Sequence, residues 1–371
     1  MRYSVAPDGA AFEDLRPEYL LLVENGGAPE TANDTGVTFG KVADVDILSD
    51  GTLAVLDRIA ARVYLLDRDG ELRAVAGRRG QGPGELSGGL SLAVIPLPGA
   101  RFAVPDVANN AIPIFDATGQ VVDVLPFGTG SEVIPEWRSL SGDTVAVRRA
   151  TSSVEILQAR TLDGRLASSG IRLPRIDHAP SAMNPGWPLM PDRWVWSAYG
   201  GGWTAVARMS EPAVALYLGE RLVRLITWPA PAGSEAGGAV TEEEVEHLLK
   251  VVARSQGLSR VTDEIRASIR APEERYVLAD ILVGPGGWIL TQRPRPIREM
   301  DERILSTLRA EGAGGPLWDV FDASGNHRGV MDFGTNVELF QIRGDTLVGV
   351  REDEFGVQHV FLARVPGLMG S

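Results

Sequence analysis

The chain has no cysteine and only two lysines, Lys41 and Lys250, among its 371 residues. Without cysteine, a disulfide framework, a thiolate zinc site and a cysteine nucleophile are all excluded. No apolar run approaches the roughly 20 residues that a membrane-spanning helix needs, and residues 1–8 lack the apolar core of a secretory signal. We therefore expect no transmembrane segment, and contact with a membrane only through a partner.

Positive charge is scarce as well, because the net charge is -13. An acidic chain repels phosphate backbones, and no stripe of basic residues alternates with aromatic residues, so we expect no nucleic-acid partner. The sequence also lacks a Gly-x-Ser-x-Gly elbow, a His-Glu-x-x-His helix motif and a Walker loop. These absences favour a protein without a standard catalytic centre.

Glycine and proline are abundant, with 43 and 24 residues, which is typical of short strands joined by tight turns. A unit of four such strands recurs six times along the chain. The first copy comprises residues 42–48, 52–57, 62–67 and 71–76, and Asp-Gly turns separate its first two and its last two strands. Later copies follow the same order with less regular spacing.

The sixth copy ends after three strands, while residues 19–23 form an unassigned strand near the start of the chain. Pairing of these two ends in one blade would close a ring. The sequence therefore predicts an all-β fold, a six-bladed β-propeller of four-stranded antiparallel blades in a single domain, 1–371. Residues 1–37 would form an N-terminal arm that carries the closing strand.

A glycine-rich segment, residues 77–86, links the first two copies and contains Gly-x-Gly-Pro-Gly-Glu at residues 80–85. Together with Val104-Pro105-Asp106, Asn109-Asn110 and Phe115-Asp116, this segment resembles the NHL-like six-bladed β-propeller proteins of environmental bacteria. The resemblance implies a periplasmic or extracellular protein of unassigned function. Because the segment joins two blades and does not open a helix, its glycines favour backbone turns over phosphate binding.

Two insertions interrupt the later copies, at residues 240–271 and 296–312. Thr241 and Glu244 form a capping-box pattern, and a second helix could begin at Ser259 and a third near Arg298. Leu248 and Leu249 lie on the apolar face of the first helix. That face either covers blades four and five or forms a docking surface for a protein partner.

Four carboxylates share one repeat position, seven residues before an equivalent turn residue: Asp44, Glu136, Asp280 and Glu338. Innermost strands converge on the central channel of a propeller, so these side chains could bind a divalent cation such as calcium. Alternatively, each one bonds backbone amides or arginines between blades. Six-bladed lactonase-like hydrolases hold a divalent cation in the channel, but their residue pattern is not identifiable here.

Aromatic residues cluster between the third and fourth copies: Trp187, Trp194, Trp196 and Tyr199. Such side chains suit recognition of a protein or a carbohydrate, although they could equally fill the space between two blades.

The absence of catalytic motifs favours a non-catalytic binding or scaffolding propeller. One version is an extrinsic subunit docked on a larger, membrane-bound assembly. The alternative is a divalent-metal-dependent hydrolase or lyase of the lactonase-like class, with the channel carboxylates as ligands and general base.

Overall fold

Six four-stranded antiparallel sheets form a ring in the computed structural model of the chain. The structure describes residues 2–4, 18–23, 37–89, 93–127, 133–150, 153–176, 187–188, 192–228, 237–300 and 314–364. Strands dominate these residues, which include two α-helices. The predicted six-bladed β-propeller is confirmed, and we number its blades 1 to 6 in chain order.

The first three blades each use four consecutive strands, ordered from the channel outward. Blade 1 contains Val42–Ile47, Leu53–Asp57, Arg62–Leu66 and Leu72–Ala76. Blade 2 contains Ile95–Leu97, Arg101–Ala103, Ala111–Phe115 and Val121–Pro126. Blade 3 contains Val133–Ser141, Thr144–Ala150, Val154–Thr161 and Ile171–Pro174.

The N-terminal segment contributes strands to two of the later three blades. Blade 4 contains Trp194–Tyr199, Trp203–Arg208, Ala213–Leu218 and Arg221–Thr227, with Arg2–Ser4 added in parallel at its outer edge. Blade 5 contains Asp280–Val283, Ile289–Pro294, Gly314–Phe321 and His327–Asp332. Blade 6 contains Val337–Arg343, Thr346–Glu352, Gln358–Arg364 and the outermost strand Glu18–Val23. The edge strand Arg2–Ser4 was not anticipated.

Strand Glu18–Val23 closes the ring by pairing antiparallel with Gln358–Arg364. This pairing confirms the closing strand expected at residues 19–23. Each innermost strand also contacts the innermost strand of the next blade, including that of blade 6 with that of blade 1. The six innermost strands therefore surround a central channel without a gap.

The hydrophobic core is divided among the spaces between blades, because each twisted sheet packs its face on the next. Six apolar clusters lie between successive pairs of blades. Between blades 1 and 2, for example, Leu56 and Val63 pack with Phe102 and Phe115, whose rings stack with centroids 5.3 Å apart. Each blade is thus buried on both faces by its neighbours.

The glycine-rich segment forms a clamp between blades 1 and 2. The Gly82 amide donates to the Glu85 carboxylate (2.8 Å), and the Asn109 side chain donates to the carbonyl oxygens of Gly80 and Glu85. Gly84 has φ of +76°, and a side chain there would collide with Val121. The glycine-rich segment and Asn109 therefore serve this connection, in keeping with the interpretation of its glycines as turn residues.

The first insertion contains helix α1, Glu242–Ser255, and helix α2, Asp263–Ser268. Thr241 and Glu244 form the predicted capping box. Helix α2 begins later than Ser259, because Thr262 caps it by accepting from the Ile265 amide. The second insertion shows a 3₁₀ turn, Ile297–Glu299. The rest of the helix that we expected from Arg298 falls on residues after Met300, which lie outside the described residues. No helix of the described ranges is long and apolar enough to cross a membrane.

The apolar face of α1 is covered by the protein itself. Leu248 is 0% exposed and belongs to the cluster between blades 4 and 5, where Ile297 and Met300 also pack. Leu249 is 5% exposed and packs with Ile265 of α2. These contacts argue against Leu248 and Leu249 as a docking surface, since Leu248 packs between blades 4 and 5 and Leu249 packs against α2.

We expect Leu248→Ala to reduce the free energy of unfolding by about 2–5 kcal/mol, because it removes a fully buried side chain and leaves a cavity. Leu258→Ala is the matched control, since Leu258 is 39% exposed just after α1, and it should cost less than about 0.5 kcal/mol. Chemical denaturation of both variants measures the difference. Equal, small effects would show that α1 does not belong to the core.

Candidate functional site

A polar cavity occupies the central channel, and all six blades contribute to its wall. Its enclosed volume is about 30 Å³, and the space that includes the solvent at its mouth is about 440 Å³. The charged and hydroxyl-bearing residues in the wall come from blades 1, 3, 4 and 6: Asp44, Asp46, Arg138, Ser139, Ser197, Tyr199 and Arg343. Blades 2 and 5 contribute the aliphatic residues Val94 and Val283. Charged groups from separate blades therefore meet in one enclosed space.

An ion pair between Arg343 and Asp46 joins blade 6 to blade 1 beside this cavity. The guanidinium donates to both carboxylate oxygens, with a shortest distance of 2.7 Å, and the Asp46 side chain is nearly buried. Although burial opposes its charge, the Asp46 carboxylate raises the pKa of Arg343. Burial raises the pKa of Asp46, and the Arg343 guanidinium opposes that shift. The contact holds both side chains in position, so the pair forms a rigid part of the channel wall.

Arg138 of blade 3 is the second guanidinium in the channel. Its Nη1 donates to the Trp137 carbonyl oxygen (3.1 Å), and its central carbon lies 5.8 Å from the centroid of the Trp196 ring. Among the described residues, no carboxylate oxygen lies within 4.0 Å of its nitrogen atoms. Arg138 therefore presents a positive charge that no neighbouring side chain neutralises by direct contact.

Asp44 is a half-buried carboxyl on the wall of the same cavity. Its two oxygens accept from the amides of Val45 (3.0 Å) and Val94 (2.8 Å). Burial raises the pKa of Asp44 to about 7, with a smaller opposing effect from Arg138 and a further increase from Asp46. Near neutral pH this carboxyl is therefore divided between its protonated and ionised forms.

The other three carboxylates of the predicted metal position lie outside this cavity. Glu136 accepts from Trp196 Nε1 (2.5 Å) and pairs with Arg148 (3.1 Å), and Asp280 accepts from the Ile281 amide (2.8 Å). Among the described residues, no group of three or more His, Asp or Glu is placed to hold a metal ion. This corrects the expectation that Asp44, Glu136, Asp280 and Glu338 converge, and calcium binding stays a prediction.

β-Bulges explain why Glu136 and Glu338 do not lie where their sequence position predicts, although the strand of Asp280 pairs in regular register. In blade 6 the strand register shifts between Leu339 and Gln341, so Glu338 lies beyond the irregularity when counted from the turn. In blade 3 the register shifts twice, and Glu136 lies inside the second irregular stretch. One extra residue moves every following side chain to the opposite face of a strand. Counting residues from the turns could not detect this.

The four predicted recognition aromatics are dispersed. Trp196 is 3% exposed and bonded to Glu136, and the Trp194 indole donates to the Pro174 carbonyl oxygen (2.8 Å). Tyr199 lies in the channel wall, 6.0 Å from the Arg343 guanidinium. The backbone of Trp187 forms a two-residue strand, Trp187–Pro188, beside Ile269–Arg270, and its side chain lies outside the described part. Trp196 therefore fills the space between blades, and Tyr199 belongs to the channel.

Sequence reasoning missed Arg138, Arg343 and Asp46, although they define the charge of the channel. Counted from the same turn residues, Asp46 and Arg138 share one repeat position, whereas Arg343 lies closer to its turn, so that count does not bring all three together. An available signal was the occurrence of arginine within two innermost strands, Val133–Ser141 and Val337–Arg343.

No protein-family model matches the chain, and no curated protein matches its sequence. Solved structures with a similar course of the chain include one from Bacteroides fragilis that is named an exported protein (10% identity, 98% of this chain and 99% of that chain, TM-score 0.49). A second is a member of the DUF4221 family from Bacteroides vulgatus (9%, 95% and 96%, 0.49), and a third is a gluconolactonase from Xanthomonas campestris (11%, 96% and 97%, 0.41). Membership of the NHL-like family stays a prediction, while this chain's own strand pairing establishes a six-bladed β-propeller.

We expect the contribution of Asp44 to the free energy of unfolding to fall as the pH rises from about 4 to about 7. The folded state holds the Asp44 proton up to a pKa of about 7, whereas the unfolded chain releases it near 3.8. The protonated carboxyl contributes its full stabilisation below the unfolded-state pKa of 3.8. This contribution is lost as the pH rises through the folded-state pKa of about 7. The loss should be about 2 kcal/mol, since one pKa unit corresponds to about 1.4 kcal/mol and the carboxyl keeps some solvent contact.

Asp44→Asn keeps the side chain neutral and should flatten this part of the pH profile, as followed by denaturant unfolding between pH 4 and pH 8. Asp123→Asn, on the exposed outer strand of blade 2, controls for the loss of one negative charge. Identical slopes for the wild type and Asp44→Asn would contradict the assignment.

Proposed function

We propose that the chain is a non-catalytic binding propeller whose ligand enters the central channel and contacts its charged wall. The observation that carries this proposal is the guanidinium of Arg138, which lines a cavity bounded by all six blades and forms no ion pair among the described residues. Arg138 is exposed, so solvent satisfies its charge in the free protein, and a negative group of a ligand could replace that solvent.

The rigidity of the channel wall supports binding of a small ligand at the open mouth of the cavity. The enclosed space is about 30 Å³, room for little more than water, so a ligand would bind in the wider space toward solvent. The Arg343–Asp46 pair and the strands themselves hold the polar groups of the wall in position before binding. Little ordering entropy is therefore lost when a ligand enters.

The scaffolding version of the hypothesis draws less support from the contacts. Leu248 and Leu249, its expected docking residues, contact the protein's own core. Docking as an extrinsic subunit, a protein or carbohydrate partner, and a periplasmic or extracellular location stay predictions from the sequence and from the family resemblance.

A hydrolase or lyase is the second candidate, favoured by Asp44. A carboxyl with a pKa of about 7 can both accept and donate a proton at neutral pH, which is the property of a general acid or base. A channel ligand that is converted by the wild type, and bound but not converted by Asp44→Asn, would establish this candidate over the non-catalytic one.

Filling the channel tests the binding proposal. Ser139 lines the cavity, and Ser139→Trp should occupy it, whereas Ser324→Trp places the same side chain in an exposed turn of blade 5. We expect a thermal-shift screen of neutral, cationic and anionic small molecules to give compounds that stabilise the wild type and Ser324→Trp, because a ligand of the native state raises the melting temperature. The same compounds should leave Ser139→Trp unchanged.

Compounds that stabilise all three proteins equally would place the ligand elsewhere and reject the channel. A screen without any stabilising compound would also count against the proposal. Unfolding of each variant without ligand shows whether the tryptophan is tolerated.

A further inference from the structure

We propose that the protein forms a two-fold symmetric dimer in which Phe355 and Ile59 of each copy lie at the centre of the contact. Neither side chain lines the channel cavity, so the dimer is independent of the proposed channel ligand. Phe355 is 82% exposed and Ile59 is 62% exposed. They are the two most exposed large apolar side chains of the described residues.

The two side chains emerge at the same face of the ring, on neighbouring blades. Phe355 and Ile59 each lie in the turn between the second and third strands of a blade, in blades 6 and 1. The strands of each blade alternate in direction in the same order, so turns of this kind point to one face of the ring. Blades 6 and 1 are adjacent, because the Val42 amide donates to the Gln358 side chain (2.7 Å). An exposed apolar pair that spans two blades is typical of an interaction surface.

Both turns are rigid, because an aspartate in each one accepts from backbone amides. Asp353 Oδ1 accepts from the Phe355 amide (2.9 Å), and Asp57 Oδ1 accepts from the Ile59 amide (2.9 Å). Each of the two carboxylates also accepts from a second amide of its own turn. The exposed residue therefore lies two positions after the aspartate in both turns. A fixed backbone loses little entropy when a partner buries its side chain, which favours tight binding through a few apolar residues.

The charges beside these side chains favour a second copy of the chain as the partner. Arg58 precedes Ile59 and is partly exposed, and Glu354 precedes Phe355 and is exposed. Neither charged side chain forms an ion pair or a hydrogen bond within the described residues. In a two-fold dimer the same surface faces itself, so Arg58 of each copy would lie against Glu354 of the other. The surface is therefore complementary to itself in charge, with an apolar residue beside each charge.

Sedimentation velocity of the full chain over a range of concentrations tests the dimer. We expect a reversible equilibrium between monomer and dimer. Phe355→Ser and Ile59→Ser should each weaken the dimer at least about tenfold, because a substitution in a symmetric contact removes the apolar side chain from both copies. Leu166→Ser is the matched control, since Leu166 is 56% exposed but lies between the third and fourth strands of blade 3, at the opposite face of the ring. It should dimerise as the wild type does.

Charge reversal tests whether the contact is two-fold. Arg58→Glu and Glu354→Arg should each weaken the dimer at least about tenfold, because either one alone places two pairs of like charge in the contact. An equimolar mixture of these two variants should form dimers again, since both pairs are then of opposite charge. Thermal unfolding of each variant verifies that the propeller is intact.

A wild type that stays monomeric up to about 1 mM would overturn the dimer and leave this face to a different protein. A dimer that neither serine substitution weakens would show that the contact lies elsewhere on the molecule. If the serine substitutions weaken the dimer but the mixture of charge variants does not restore it, the two-fold pairing of Arg58 with Glu354 is wrong. None of these results bears on the channel proposal.

Discussion

Closure of the ring is the constraint on which the rest of this structure depends. Every blade is buried on both faces, so each of the six apolar clusters exists only if both neighbouring blades are in place. The junction of blade 6 with blade 1 adds polar contacts that span nearly the whole sequence. The Val42 amide donates to the Gln358 side chain (2.7 Å), the Gln341 side chain donates to the Val45 carbonyl oxygen, and Arg343 pairs with Asp46.

These junction contacts also determine the chemistry of the channel. Arg343 forms an ion pair with Asp46, so the positive charge available to a ligand is that of Arg138. Arg138 belongs to blade 3, which lies opposite blade 6 in the ring. Asp44 lies on the same innermost strand as Asp46, and burial among the surrounding strands raises its pKa. The structural pair and the candidate binding groups therefore share one wall, and the fold supplies their positions without a dedicated loop.

Much of the fold could be predicted because its physical signals are local. Short Val- and Leu-rich strands between Asp-Gly turns predicted the blades. The additional strand at residues 19–23 predicted how the ring closes. Thr241 and Glu244 gave the start of α1. The channel could not be predicted, since β-bulges in blades 3 and 6 displace side chains by one position and no local signal marks them. Arg2–Ser4 was missed because a three-residue edge strand depends entirely on its partner in blade 4.

The closing strand Glu18–Val23 has a consequence for how the protein folds. Its partner, Gln358–Arg364, lies at the other end of the sequence, so this hydrogen-bonded ladder has the greatest sequence separation of any in the ring. The chain must lose the conformational entropy of closing this large loop before the hydrogen bonds between the two strands can stabilise the fold. During synthesis, the four consecutive strands of each of blades 1 to 5 can pair as they emerge. Strand Glu18–Val23 can pair only after Gln358–Arg364 has been made. Blade 6 is therefore the natural final step of folding, and its outer edge is the place where global unfolding should begin.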